Sequence, residues 1–174
     1  GIEGIDSDIL KRLNTLSELV NHTIKTTRRI SQELRPSILD DLGLKSAIEW
    51  QVSQYKKRSD SIYKLNMIGD DENISSEQST AIFRIAQESL TNIARHAEAT
   101  NIEISLSIEK LFIKLEINDD GKGFSANIID NKNASFGIFG MKERAAMLGG
   151  EMKVVSQKNR GTTIEVKLPL TSNQ

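Results

Sequence analysis

The chain has 174 residues with a net charge of −1, which is room for one compact domain plus an appendage. The balanced charge disfavours nucleic acid and anionic membrane as partners, because both select basic surfaces. The absence of cysteine and the presence of only two histidines exclude disulfides and thiolate chemistry and disfavour a multi-histidine metal site. No apolar stretch approaches the ~20 residues that span a bilayer, so we expect no membrane contact within this chain and a reducing, cytoplasmic setting.

The first segment, residues 5–34, is predicted to form one long helix with a heptad seam. Apolar or near-apolar residues occur at alternating spacings of four and three, namely Ile9, Leu13, Leu16, Val20, Thr23, Thr27, Ile30 and Leu34. A helix cannot bury such a stripe alone, and the chain holds no second helix of this kind. We therefore expect a homodimer through the N-terminal helix, although two threonines weaken the middle of the seam.

Pro36 ends this helix, because proline disfavours helical geometry at the residue before it. The predicted organisation is a helix over residues 1–36, a connector over 37–43 and a compact domain over 44–174. Because the chain starts inside a helical pattern, we also expect it to be a piece of something longer.

The compact domain alternates helices and strands. Ser75 and Gln78 resemble a capping box at the start of its longest helix, and residues 109–110 separate two period-2 runs that predict a hairpin. We expect strands that pair locally and helices on one sheet face, which is a two-layer α/β sandwich. The predicted helices are 44–58, 75–97 and 138–148, and the predicted strands are 62–68, 102–108, 111–117, 151–156 and 162–168.

Glu88 and Asn92 are four residues apart on the 75–97 helix, so their side chains share one face. With Arg95 they lie off the apolar face of this helix and are free to line a cleft. An amide oxygen can coordinate a hard cation, and a carboxylate can orient or deprotonate an attacking group. The alternative is a solvated helix face.

Two glycine-containing segments follow. In residues 118–124, Asp119 ends a strand and can accept from an exocyclic amine, while Gly121 and Gly123 permit close backbone approach to a ligand. Gly137 and Gly140 open a helix whose free amide groups can bind phosphate. The alternatives are an ordinary turn and a plain helix entry. The polar segment 125–136 between them is predicted to be a loop able to close over a ligand.

Thr162, which opens the last strand, could reach either a bound base or the Asp119 carboxylate through its hydroxyl, although β-branched residues enter strands without any functional reason. In order and spacing, these segments resemble the GHKL superfamily, which groups DNA gyrase, the ninety-kilodalton heat-shock chaperone, MutL proteins and histidine kinases. The matching segments are QESLTNIARHA (87–97), DDGKGF (119–124), GIFGMKER (137–144) with LGG (148–150), and GTTIEV (161–166). The GMKERA run and the LRP–LDDLGL connector (34–44) further resemble sensor histidine kinases of the nitrate/nitrite-sensor type.

The resemblance implies a Bergerat-type ATP-binding fold with ATP and Mg²⁺ as cofactors. It implies that Asn92 coordinates Mg²⁺, that Glu88 acts as a general base or orienting carboxylate, and that Arg95 and His96 contact the terminal phosphates. It further implies that Asp119 accepts from the adenine amino group with support from Thr162. Gly121, Gly123, Gly137 and Gly140 would shape the pocket and its lid.

The resemblance also places residues 1–36 as the second helix of an incomplete histidine-phosphotransfer hairpin. The family's phosphoacceptor histidine stands in a Glu-x-His-Asp-type run, and no such run exists here; His22 lacks the acidic neighbour. We therefore expect ATP binding without self-phosphorylation, a response regulator as partner, and the cytoplasmic part of a membrane-anchored sensor as the setting. A degenerate nucleotide-binding dimerisation module and an anti-sigma-type serine kinase remain as alternatives.

Overall fold

The computed structural model describes Leu16, residues 36–125 and residues 136–170. The chain divides into two units, residues 1–35 and residues 36–174. Leu16 is helical and exposed; the rest of the predicted dimerisation helix, including His22, lies outside the described residues, as does most of the loop predicted over 125–136.

The described part of the second unit contains a five-stranded sheet, three α-helices and one π-helical turn. The helices are α1 (Ser37–Lys56), α2 (Ser76–Asn92) and α3 (Phe136–Met147), and the π turn is Ile93–Ala97. The strands are β1 (Ile62–Ile68), β2 (Asn101–Ile108), β3 (Phe112–Asp119), β4 (Glu151–Ser156) and β5 (Thr162–Pro169). All predicted helices and strands of the domain are confirmed; with the π turn counted as the end of α2, their ends shift by at most two residues, except that α1 begins seven residues before its predicted start.

The strand order is β1-β2-β3-β5-β4. The β2–β3 and β4–β5 pairs are local antiparallel neighbours, as predicted. The β1–β2 pair is instead parallel, because α2 and the π turn carry the chain back across the sheet between them. Local pairing was therefore a wrong prediction for this edge of the sheet.

One face of the sheet is buried under the helices, and the other is polar. Alternate residues of β2, β3 and β5 point into the core, among them Ile104, Leu115 and Val166, which are fully buried. The opposite face carries Lys114, which bridges Glu116 and Glu165 at 2.9 and 2.8 Å. This alternation confirms the two-layer α/β sandwich.

Helix α2 is the central element that covers the sheet. Its capping box is present: the Gln78 amide donates to Ser75 Oγ at 3.2 Å, and the Ser75 amide donates to Gln78 Oε1 at 3.1 Å. The buried face includes Ile82, Ile85 and Leu90. The opposite face is thereby left for polar side chains at the end of the helix.

The segment predicted as a connector is part of the compact domain. Residues 37–42 are already helical, and Leu39 packs in the same core as Leu44. Between them, Gly43 (φ 75°, ψ 175°) interrupts the helix, and Asp71 accepts a hydrogen bond from the Lys45 amide at 2.9 Å to start its second part. Among the described residues, no helix is long and apolar enough to cross a membrane.

Candidate nucleotide site

A cavity of about 430 Å³ opens where the end of α2, the end of β3, the start of α3 and the start of β5 meet. Six of the ten predicted site residues line it, namely Asn92, His96, Asp119, Gly123, Gly137 and Thr162. The other lining residues are Ser89, Ile93, Ala97, Ile117, Lys122, Phe124, Ile138 and Ile164. The cavity thus has largely apolar walls with a few convergent polar groups, as small-molecule sites usually do.

Asp119 is the most buried ionisable group of this cavity, with 4% of its surface exposed. The last residue of β3, it accepts a hydrogen bond from the Gly121 amide at 2.9 Å and another from the Thr162 backbone. Burial raises the pKa of Asp119 against the effect of these two hydrogen bonds, and the neighbouring Asp120 charge adds to the rise. A ligand that donates a hydrogen bond would compensate for this desolvation of the carboxylate.

Asp120, the next residue, has a structural role and lies outside the cavity lining. Its carboxylate accepts from Asn101 Nδ2 at 2.6 Å, the Asn101 amide at 2.8 Å, and the amide and hydroxyl of Thr100, both at 2.7 Å. These hydrogen bonds, led by that from the Asn101 side chain, hold the pKa of Asp120 well below its usual range. Asp120 therefore ties the start of β2 to the end of β3.

Gly121 and Gly123 are required by close backbone contacts. A Cβ at Gly121 would collide with the Ala97 carbonyl oxygen, and the Lys122 amide donates to that same oxygen at 2.7 Å. Gly123 has a φ of 52°, and a Cβ there would collide with the Gln157 carbonyl oxygen. These glycines thus let the β3 turn pack directly on the π turn and on the β4–β5 turn.

Glu88 lies next to the start of α3. A Cβ at Gly137 would collide with Glu88 Oε1, so the glycine leaves room for the carboxylate at the mouth of the cavity. Arg144 of α3 is half-buried nearby: burial and then the Arg84 charge lower the pKa of Arg144, while the Glu88 charge opposes them. Glu88 is therefore half-buried between Gly137 and the charge of Arg144, outside the cavity lining.

The π turn decides which side chains after Asn92 reach the cavity. A π turn closes its hydrogen bonds over five residues, so the backbone rotates less per residue than in an α-helix. His96, four positions on, stays near the face of Asn92 as it would in an α-helix, and both line the cavity. Arg95 rotates away and lines a second cavity on the other side of the turn, so the structure does not bring it to the predicted position.

The backbone of Thr162 is hydrogen-bonded to the Asp119 carboxylate, whereas its hydroxyl is hydrogen-bonded to Ser156. Its Oγ1 lies 2.9 Å from Ser156 Oγ, and that serine oxygen also accepts from the Phe124 amide. The predicted contact between the Thr162 hydroxyl and Asp119 is therefore replaced by a hydroxyl pair that connects the β4–β5 hairpin to the glycine turn. Gly140, the remaining predicted residue, lies outside the lining, and a Cβ added to it would meet nothing within 4 Å.

Several lining residues were not predicted from the sequence. Lys122 and Phe124 stand inside the glycine motif, and Ser89 lies one position after Glu88. The strand alternation that places Ile117 and Ile164 in the core also indicates the apolar end of the cavity. Nothing local in the sequence identifies Ser156, because its partner Thr162 is reached through the β4–β5 hairpin.

The donor set fits a magnesium ion shared with phosphates better than a metal held by protein alone. Within residues 36–125 and 136–170, no group of three or more His, Cys, Asp or Glu side chains could hold a metal ion. Mg²⁺ keeps several waters and takes few protein ligands when substrate phosphates supply the others. Asn92, with Glu88 one turn before it, offers such a partial set.

The family described as histidine kinase-, DNA gyrase B-, and HSP90-like ATPases matches residues 77–172, which contain α2, the π turn, α3 and strands β2–β5. Because this match covers more than half of the chain and includes the cavity, the chain belongs to this ATPase family.

Within this ATPase family, the chain is similar in sequence to curated histidine kinases. The signal transduction histidine-protein kinase/phosphatase DegS of Brevibacillus brevis is 34% identical over 172 residues, covering 99% of this chain and 44% of the relative. The oxygen sensor histidine kinase NreB of Staphylococcus carnosus is 32% identical over 164 residues, covering 94% of this chain and 47% of the relative. The chain thus spans less than half the length of these relatives.

Solved structures agree on the fold. A blue-light activated histidine kinase of Erythrobacter litoralis matches with a TM-score of 0.60 at 20% identity, over 75% of this chain and 42% of that chain. The histidine kinase AdeS of Acinetobacter baumannii also matches with a TM-score of 0.60, at 16% identity over 99% of this chain and 89% of that one. The fold is therefore that of histidine kinase ATPase domains.

Proposed function

We propose that this chain is the ATP-binding catalytic portion of a sensor histidine kinase, which transfers the terminal phosphoryl group of ATP to a histidine outside the chain. The observation that carries the proposal is that one cavity brings together Asn92 from the end of α2 and Asp119 from the end of β3. These are the two groups to which the family resemblance assigns the opposite ends of the nucleotide.

At the base end, Asp119 accepts a hydrogen bond from the adenine amino group. The raised pKa of Asp119 supports this role, because a carboxylate desolvated by burial gains most from a ligand that donates to it. Ile117, Ile138 and Ile164 supply apolar contacts to the faces of the purine.

At the phosphate end, Asn92 would hold Mg²⁺ through its amide oxygen, and the cation when bound supplies charge neutralisation to the phosphates. His96 and the backbone at Gly137 line the same part of the site. Glu88 orients the attacking imidazole or accepts its proton from the cavity mouth. Gly121 and Gly123 let the turn after β3 pack on the π turn and on the β4–β5 turn, and Gly140 leaves open space near the start of α3. The protein's contribution to phosphoryl transfer is mainly positioning and electrostatic stabilisation.

The names of the relatives support a wider assignment for the parent protein. We propose that it works as a homodimer through the helix predicted over residues 1–36, with a response regulator as partner. We place the chain in the cytoplasmic part of a membrane-anchored sensor. NreB, which is named an oxygen sensor histidine kinase and aligns along 94% of this chain, supports the sensor assignment, and the heptad seam in the sequence supports the homodimer.

Calorimetric titration of ATP in the presence of Mg²⁺ tests the nucleotide site. Asp119→Asn should weaken binding at least tenfold, because the amide cannot replace the charged acceptor and presents a donor to the adenine amino group. Asp60→Asn, an exposed carboxylate outside the cavity lining, is the matched control and should bind as the parent does. Equal affinities for the parent and Asp119→Asn would refute the assignment.

Radiolabelled ATP tests the proposed location of the phosphoacceptor. Incubated alone with Mg-ATP, the chain should bind nucleotide without acquiring acid-labile phosphate. Labelling that disappears in the variant His22→Gln would contradict the proposal, because the acceptor would then be His22.

A further inference from the structure

Ser156 is the last residue of β4, and its side chain lies on the core side of the sheet, as does that of Val154 two positions before it. In the register of the β4–β5 hairpin, Ser156 stands directly opposite Thr162. Ser156 is half-buried and does not itself line the nucleotide cavity, whereas Phe124 and Thr162, to which it is hydrogen-bonded, both do. Ser156 therefore lies directly behind two residues of the cavity wall.

The Ser156 hydroxyl has three polar contacts. It accepts a hydrogen bond from the Phe124 amide at 2.9 Å, donates to the Gly161 carbonyl at 3.1 Å, and lies 2.9 Å from Thr162 Oγ1. A serine hydroxyl offers one donor and two acceptor positions, so three contacts use its full capacity. The side chain is thus held in one orientation by partners from the turn after β3 and from the β4–β5 hairpin.

The turn after β3 is also attached to the β4–β5 turn through the backbone. The Asn159 amide donates to the Lys122 carbonyl at 2.7 Å. The Phe124 amide, two residues further on, is bonded instead to the Ser156 side chain. Loss of the Ser156 hydroxyl would therefore release the Phe124 amide and the Thr162 hydroxyl, while the backbone contact between the two turns remains.

The Thr162 side chain lies next to the group proposed to receive the base. The Thr162 backbone is hydrogen-bonded to the Asp119 carboxylate, and both residues line the cavity. A threonine side chain can occupy several staggered orientations about χ1, and each of them points the hydroxyl oxygen in a different direction. The hydrogen bond with Ser156 selects one orientation, so Ser156 determines where the Thr162 oxygen stands relative to Asp119.

We propose that Ser156 is a positioning residue that sets the preference of the nucleotide site for adenine, by holding the Thr162 hydroxyl and the Phe124 amide in place. This role rests on the proposed function, in which Asp119 receives the amino group of the base. A site discriminates between bases by their hydrogen-bonding groups only where its own polar atoms are fixed and are left unpaired by the wrong base. Without the Ser156 hydroxyl, Thr162 can turn to suit a different base.

Calorimetric titration with Mg-ATP and Mg-ITP tests this role, because hypoxanthine, the base of ITP, carries a carbonyl oxygen where adenine carries its amino group. The parent chain should bind ATP at least about tenfold more tightly than ITP. Ser156→Ala should weaken ATP binding about fivefold and change ITP binding less than about twofold, because the geometry that it disturbs serves only the adenine edge.

Two further variants serve as controls. Ser156→Thr keeps the hydroxyl and should retain the parent's ratio of ATP to ITP affinity within about twofold. Ser105→Ala, on the opposite face of the sheet in β2 and outside the cavity lining, should bind both nucleotides as the parent does.

An unchanged ratio of affinities in Ser156→Ala, whether both nucleotides weaken equally or neither does, would overturn the proposal. It would leave the proposed function intact, since the parent would still bind ATP. A parent chain that binds neither nucleotide would instead refute the proposed function, and this inference with it. If Ser156→Ala fails to fold, Thr162→Val provides the test, because it removes the other hydroxyl of the pair. The ratio in that variant should fall at least about threefold, and a ratio equal to the parent's contradicts the proposal.

Discussion

At the scale of single residues, two adjacent aspartates show how position decides chemistry. Asp119 ends β3 on its buried side, faces the nucleotide cavity and has a raised pKa. Asp120 points the other way, accepts four hydrogen bonds from Thr100 and Asn101, and has a lowered pKa. Strand alternation places successive side chains on opposite faces, so one carboxylate is available to a ligand and its neighbour serves the fold.

The lowered pKa of Asp120 predicts an acid-dependent contribution to stability. Because the folded state favours the ionised form, the stabilisation is present above the ordinary carboxyl pKa of about 3.9 and is lost as the pH falls toward the depressed value. Asp120→Asn should therefore lower the free energy of unfolding at pH 7 by about 1 kcal/mol, a figure reduced for its solvent exposure. Urea unfolding at pH 7 and pH 3 measures this; a deficit of equal size at both pH values would contradict it.

The proposed role of Glu88 is chemical, and its expected contribution to nucleotide binding is small. Glu88→Gln keeps the side-chain shape next to Gly137, so nucleotide affinity should change less than about threefold. Phosphoryl transfer or hydrolysis should fall about 100-fold or more, the usual loss when a general base is removed. Glu143→Gln, an exposed glutamate on α3, is the control and should keep full activity. Equal kcat values for the two variants would remove Glu88 from the mechanism.

At the scale of elements, the residues at the end of α2 and in the π turn form one wall of the nucleotide cavity. His96 stays on the side of Asn92, and the slower rotation of the π turn directs Arg95 to the second cavity. The Gly121 turn packs on the same element through the Ala97 carbonyl. A single short element thus connects the metal-ligand position, the glycine turn and the second cavity, which is consistent with the frequent location of π turns at functional sites.

The break in α1 predicts that any residue other than glycine at position 43 strains the backbone. Gly43 has φ 75° and ψ 175°, a region that only glycine enters freely, and a Cβ there would lie 3.3 Å from Asp71 Oδ2. Gly43→Ala should lower the free energy of unfolding by about 1–3 kcal/mol. Ser46→Ala, three residues on and exposed in the same helix, should change it by less than about 0.5 kcal/mol. Urea denaturation measures the free energy of unfolding of both variants. Equal values would mean that the backbone at position 43 does not require glycine.

At the scale of the whole molecule, the described core lies entirely within one unit. Every buried apolar residue of the core cluster falls between Leu39 and Leu168, inside the unit formed by residues 36–174. Both cavities are lined by residues of that unit.

This division predicts that residues 36–174 fold and bind ATP without the first 35. The fragment should match the affinity of the full chain for Mg-ATP within about twofold, because the core and the lining are intact. It should sediment as a monomer, whereas the full chain should sediment as a dimer through the heptad helix. Analytical ultracentrifugation and calorimetry measure both properties. A monomeric full chain would contradict the dimerisation proposal, and an unfolded fragment would contradict the independence of the unit.

Much of the domain could be predicted from the sequence because its signals are local. Period-2 runs such as that from Ile102 to Ile108, the capping box at Ser75 and the order of the glycine segments each depend on neighbours a few residues apart. Those signals sufficed for the helices, the strands, the α/β class and the family, and for six of the fourteen residues that line the nucleotide cavity.

Only the tertiary structure decided which of these residues meet. The parallel β1–β2 pair, the contact between Glu88 and Gly137, the hydroxyl pair of Ser156 and Thr162 and the departure of Arg95 all depend on chain crossings or on the changed rotation of the π turn. A sequence pattern predicts only which side chains share one face of a single helix or strand. The distance between groups on two elements, and hence their shared chemistry, is determined only when the packed core fixes the elements relative to each other.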